Sequence, residues 1–139
     1  KGPQSRAIDG PSAMAAIRAA REAGVRHMVY VSVAHPAPVM RDYIAVRSEC
    51  EPAIAGAGLV ATILRPWYIL GPGHWWPLAL QPVYRLMEQL PGTRAAALRL
   101  GLVTIQEMLI AMIWAIEQPP ASSRLIEVPE IRRLGRSDA

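Results

Sequence analysis

The sequence predicts an α/β protein in which helices pack against a small parallel sheet. Three observations carry that expectation. First, the stretches around Val29-Tyr30-Val31 and Thr62-Ile63-Leu64 are apolar, rich in β-branched residues and of strand length, without polar alternation. Such runs suit strands buried on both faces. Second, helix-like segments alternate with these runs in the order helix, strand, helix, strand, helix, helix, strand, which implies parallel pairing through crossover connections. Third, 139 residues at 52% hydrophobic content suffice for a real core. The length fits one domain or a large part of one.

Each element has a local reason. Asp9 or Ser12 is the candidate cap of a helix running through Ala20 to Glu22, with Ala16, Ile17, Ala20 and Ala23 as its apolar stripe. Gly24 closes it, since a left-handed residue commonly follows a helix end. A short strand follows, about His27 to Val33, and then a proline-containing loop from Ala34 to Val39. Arg41 to Ala55 is helical, with Tyr43, Val46, Arg47, Cys50 and Ile54 at helical spacing. Gly56 and Gly58 end it, and Leu59 to Leu64 is a second buried strand stopped by Pro66. Leu78 to Leu90 reads as a helix broken or kinked near Pro82. Ala95 to Thr104 is ambiguous, with a possible short strand at Leu100 to Val103. Ile105 to Glu117 is a strong helix with Met108, Leu109, Met112 and Ile116 on one side, ended by Pro119 and Pro120. Leu125 to Val128 reads as a third strand, and the polar tail from Arg132 as frayed.

Composition narrows the function classes. The net charge is +4, but the basic residues are scattered arginines without a run of like charge, which argues against a nucleic-acid arm. Cys50 is the only cysteine, so no internal disulfide forms, and a reducing, cytoplasmic setting is expected. Its place within a helix fits a buried apolar filler. The first ten residues are polar and do not read as a signal peptide. The stretch from Pro66 to Tyr84 lacks charge, but Pro66, Pro72, Pro77 and Pro82 prevent an uninterrupted membrane helix. The expected partner is a small molecule, with neither nucleic acid nor membrane. His27, His35 and His74 have no metal-ligand spacing, so no metal is expected.

The chemistry-bearing pattern is Ser32 at the end of the first strand, followed eleven residues later by Tyr43-x-x-x-Arg47. A hydroxyl, a phenol and a cation at the carboxyl edge of a parallel sheet can polarise a carbonyl and pass it a proton. A phenol titrates near 10, so proton transfer at neutral pH calls for a neighbouring cation. Tyr43 and Arg47 are four apart, hence one above the other on a helix. Arg47 carries its charge permanently and cannot release a proton. The competing reading is packing: Arg47 pairs with Glu51 one turn on, Tyr43 is a half-buried anchor, and Ser32 bonds to backbone as a strand-end hydroxyl. Trp67, Tyr68, His74, Trp75 and Trp76 follow the second strand, where ligand pockets of open α/β sheets lie. They either line a pocket or pack a helix onto the sheet. His35 is a further candidate beside Ser32.

A dinucleotide fold begins with a strand, a glycine-rich turn and a helix. This chain opens on a helix, and Gly71-Pro72-Gly73 lacks a third glycine. The expectation is therefore the C-terminal part of a larger domain, without the N-terminal nucleotide-binding β-α units. The absent part amounts to on the order of 90 residues at about 30 per unit. A complete small domain is the alternative. Residues 1–72 are expected to form the C-terminal half of a nucleotide-binding domain, and 73–139 the substrate-side helices and a returning sheet strand.

Four motifs occur in order: Val29-Tyr30-Val31-Ser32, Tyr43-x-x-x-Arg47-x-x-x-Glu51, Thr62-Ile63-Leu64-Arg65-Pro66 and Gly71-Pro72-Gly73. Together, over about Asp9 to Val128, they resemble the C-terminal half of the short-chain dehydrogenase/reductase superfamily. The nearest resemblance is to its extended and atypical branch of NAD(P)-dependent epimerase/dehydratase-like and NmrA-like proteins. The resemblance implies a Rossmann-like parallel sheet with flanking helices that binds NAD or NADP. It implies that Tyr43 is the general acid/base and Ser32 holds the substrate oxygen. Arg47 occupies the place of the family's ribose-binding lysine; Lys1 is the only lysine here. It also implies that Arg65, Pro66, Trp67, Tyr68 and Gly71 contact the cofactor. The activity implied is that of an oxidoreductase or epimerase-like enzyme on a carbonyl or hydroxyl substrate. The alternative is an NmrA-like NAD(P)-binding sensor without turnover.

Overall fold

The computed structural model describes residues 8–37, 39–71, 79 and 81–137. Its elements run α1 (Gly10–Glu22), β1 (Met28–Val31), α2 (Arg41–Gly56), β2 (Ala61–Arg65), β3 (Tyr68–Leu70) and α3 (Gln81–Gln89). They continue with α4 (Arg94–Arg99), β4 (Leu102–Thr104), α5 (Ile105–Glu117), β5 (Arg124–Glu127) and α6 (Val128–Ser137). The main sheet has the order β1-β2-β5 and is parallel throughout, with Met28 opposite Ala61 and Thr62 opposite Arg124. The expected α/β class with a parallel sheet is what the chain forms. A second sheet, β3 with β4, is also parallel.

Period-2 alternation along the strands divides the core in two. Tyr30, Ala61 and partly buried Ile63 face Ile17 of α1 and Cys50 and Ile54 of α2. Leu64 and Ile126 face Met108 and Ala111 of α5 and Ile131 and Leu134 of α6, with Val29 and Val31 packed alongside. The sheet is thus sandwiched between α1/α2 and α5/α6. The free Cys50 is buried, and its thiol donates to the Val46 carbonyl at 3.3 Å.

Several local expectations are corrected. The α1 N-cap Asp9 is helical (φ −65°, ψ −45°) and makes no side-chain cap; Ser12 Oγ donates back to the Asp9 carbonyl at 3.0 Å. Gly24 (φ +66°) and Gly58 (φ +73°) do take the left-handed conformation that follows a helix end. On α5 the inward face is Met108, Ala111 and Ala115, while Leu109 and Ile116 are exposed. Small alanines let α5 lie close to the sheet, which displaces the stripe read from the larger residues. Through Ser137 the tail is helical rather than frayed: α6 carries buried Val128, Ile131 and Leu134 at helical spacing. Pro82 falls in the first turn of α3, where its missing N–H costs nothing.

The start of α5 is fixed by a capping box. Glu107 N–H donates to Thr104 Oγ1 at 3.1 Å, and Thr104 N–H donates to Glu107 Oε2 at 2.8 Å. Gly135 of α6 lies against this turn: a Cβ there would sit 2.6 Å from Glu107 Cα. Among the described residues no helix is long and apolar enough to cross a membrane.

Candidate active site

The carboxyl ends of β1 and β2 lie side by side, and their pairing extends past the strands. Ser32 N–H donates to the Leu64 carbonyl at 2.8 Å, and Ala34 N–H to the Pro66 carbonyl at 2.9 Å. The backbone therefore brings Ser32 next to Arg65 and Pro66. Even-numbered β1 positions and odd-numbered β2 positions face α2, which directs the side chains of Ser32 and Arg65 toward that helix.

Glu51 of α2 receives both. Ser32 Oγ donates to Glu51 Oε1 at 2.6 Å, and Arg65 Nε donates to the same oxygen at 3.0 Å. Arg65 Nη2 pairs with Glu51 Oε2, and its Nη1 stands 3.8 Å from Glu127 Oε1. A guanidinium that engages a carboxylate through two nitrogens is held in direction as well as place. Burial alone would raise the Glu51 pKa. The hydrogen bonds from Arg65 and Ser32, with the charges of Arg65 and His35, outweigh that and lower it from its ordinary 4.5. Glu51 accordingly stabilises the fold fully above pH 4.5, and that contribution is lost as pH falls through its lower folded-state pKa. Urea titrations below pH 4.5 are expected to show the wild-type protein losing stability more steeply than Glu51→Gln. Equal slopes for the two proteins would remove Glu51 as the cause.

The packing reading of Arg47 is corrected here: Glu51 turns to Ser32 and Arg65 instead. Arg47 Nη1 donates to the Val31 carbonyl at 2.9 Å, at the strand position before Ser32. Its guanidinium carbon lies 5.4 Å from the centre of the Tyr43 ring, within cation–π range. Its Nε is buried and has no hydrogen-bond partner among the described residues. Ser32 likewise departs from the strand-end reading, since its hydroxyl serves a carboxylate. Tyr30 is unsuited to proton transfer at the rim. Its phenol is buried, donates to the Arg47 carbonyl at 3.5 Å and has a pKa raised by desolvation. His35 Nδ1 lies 3.0 Å from the Val33 carbonyl oxygen.

Ser32, Tyr43, Arg47 and Arg65 are thus linked at one end of the sheet through Val31 and Glu51. Pro66 is buried beside them. Trp67 packs against the core cluster of Leu64 and Val103. Tyr68 is half-buried in β3. Among the described residues, no atom lies within 4 Å of a Cβ built on Gly71. Positions 72–78, with Gly73, His74, Trp75 and Trp76, lie outside the described residues. The residue that sequence reasoning undervalued is Glu51. Its signal was present: it stands two turns beyond Tyr43, on the α2 face that meets the strand ends.

The opposite end of the sheet has its own polar group. Thr62 Oγ1 lies 2.9 Å from His27 Nε2 and accepts from Arg124 Nε at 3.0 Å. Burial and the Arg124 charge lower the His27 pKa from 6.5. Arg124 also stacks 4.2 Å from the centre of a Trp114 ring.

No family model matches the chain. The chain is similar to a protein named ceramide reductase from Caulobacter vibrioides (strain NA1000 / CB15N), with 28% identity over 128 residues. That similarity takes in 92% of this chain and 39% of the relative, so the chain spans well under half of the relative's length. A distant relative of this chain is therefore named as a reductase.

Proposed function

We propose that this chain forms the proton-transfer side of an NAD(P)-dependent reductase acting on a carbonyl or hydroxyl substrate. The observation that carries the reading is that Arg47, 5.4 Å from the centre of the Tyr43 ring, donates to the Val31 carbonyl, one residue before Ser32 at the carboxyl end of β1. The reductase name of a distant relative supports it. Ligands of open α/β sheets bind at that end.

A bound nicotinamide would supply the hydride. The remaining work falls to the chain. Tyr43 gives its phenolic proton to the substrate oxygen. Arg47, its guanidinium carbon 5.4 Å from the ring centre, orients the phenol. Arg65, held by Glu51, fixes the strand end from which Pro66, Trp67, Tyr68 and Gly71 lead toward the cofactor. A ceramide-like lipid ketone belongs among the first substrates to test, because of the relative's name.

The test is loss of NADH or NADPH absorbance with a panel of ketones and aldehydes, including 2-octanone and long-chain amide ketones. Turnover with at least one member is expected. Folded protein that binds neither nucleotide and turns over nothing would refute the proposal. Binding without turnover would favour the second reading, a cofactor sensor, which the arginine at position 47 and the engaged Ser32 proton already favour.

A further inference from the structure

Ser32 has one hydroxyl proton. Glu51 is acceptor-only when ionised, and it takes that proton at 2.6 Å. Its carboxylate is in turn held by the Arg65 guanidinium, which touches both oxygens. Glu51 therefore cannot rotate away from Ser32 without also breaking a two-nitrogen ion pair. Hydrogen bonds to a charged acceptor are stronger than those to a neutral carbonyl, so a neutral ketone competes poorly for the serine proton. What Ser32 has left to offer is a lone pair. At 3% exposed, it presents a ligand with little more than one such contact.

We propose that Glu51 is a positioning residue that makes Ser32 a hydrogen-bond acceptor, so that the rim holds the alcohol form of its substrate in preference to the carbonyl form. The proposal rests on the reductase reading above and specifies which redox state of the substrate the site favours. A secondary alcohol arrives with its own proton and donates it to Ser32, whereas a ketone arrives with none. In the carbonyl complex the substrate oxygen relies on Tyr43 alone.

The test uses 2-octanone and 2-octanol as a matched pair, with dissociation constants measured for each in wild-type, Ser32→Ala and Glu51→Leu proteins. Wild type is expected to favour the alcohol by about fivefold to tenfold, the scale of one hydrogen bond. Ser32→Ala is expected to weaken the alcohol by about that factor and leave the ketone within about twofold. Glu51→Leu frees the Ser32 proton and is expected to move the ratio toward the ketone by about fivefold. Loss of both ligands in equal measure, or a greater loss of ketone than alcohol in Ser32→Ala, overturns the proposal. If Glu51→Leu fails to fold, as judged by its thermal transition, Glu51→Gln takes its place: a neutral acceptor holds the Ser32 proton less tightly and is expected to move the ratio toward the ketone by about twofold or more, and an unmoved ratio overturns the proposal. Wild-type turnover of the ketone separates the two levels. With turnover present and the ratio unmoved, only the role of Glu51 falls. With neither binding nor turnover, the reductase reading falls with it.

Discussion

Tyr43→Phe is expected to lower turnover by about 10²- to 10⁴-fold, the usual worth of a positioned proton donor. The substitution removes one oxygen and keeps the ring that stacks near Arg47 at 5.4 Å. Packing, the Arg47 bond to Val31 and nucleotide affinity should therefore survive. The measurement is kcat together with the dissociation constant for NADH or NADPH. A lost rate with unchanged nucleotide affinity assigns the proton to Tyr43. A retained rate would show that another group supplies it. Tyr30 is a poor substitute, because its phenol is buried and already donates to backbone.

Gly135→Val is expected to cost about 2–3 kcal/mol, seen as a fall in Tm of several degrees. A Cβ at this position would lie 2.6 Å from Glu107 Cα and 2.7 Å from Glu107 Cβ, so the obstacle includes backbone rather than only a flexible tip. Helix α6 would have to lift from the capped start of α5, away from the contacts of Ile131 and Leu134. The helix propensity of alanine over glycine, about 1 kcal/mol, would offset part of the cost in Gly135→Ala, which makes valine the cleaner test. Gly56, at the end of α2, is the control: among the described residues, no atom beyond its chain neighbours and its own helix backbone lies within 4 Å of its Cβ position. Gly56→Ala is expected to be neutral or stabilising, and equal losses at both glycines would contradict the close approach.

The main sheet was readable in the sequence because helices cover β1 and β2 on both faces, so that they appear as unbroken apolar runs. Their helices were readable because Ile17, Val46, Cys50 and Ile54 repeat at helical spacing. Helix α6 was hidden by the polar residues around Ile131 and Leu134, which occupy its solvent side. The α5 stripe was misread because alanine carries no bulk to mark it, yet Ala111 and Ala115 are the buried positions. Strand β3 is three residues long and gains its strand character only from β4, more than thirty residues further on. The residue types at the rim were legible, but their partners were not. Glu51 is four residues from Arg47, so local spacing favoured an intrahelical pair. Glu51 instead pairs with Ser32 and Arg65, which the strand ends bring to 2.6 Å and 3.0 Å.

The most direct measurement of the central claim is the fate of a deuterium label. With nicotinamide deuterated at the transferable position and a ketone that turns over, mass spectrometry of the alcohol should show one carbon-bound deuterium per product molecule. The same reaction should be nearly silent in Tyr43→Phe. Unlabelled alcohol from a deuterated cofactor, or undiminished labelling without the phenol, would contradict hydride transfer coupled to a proton from Tyr43.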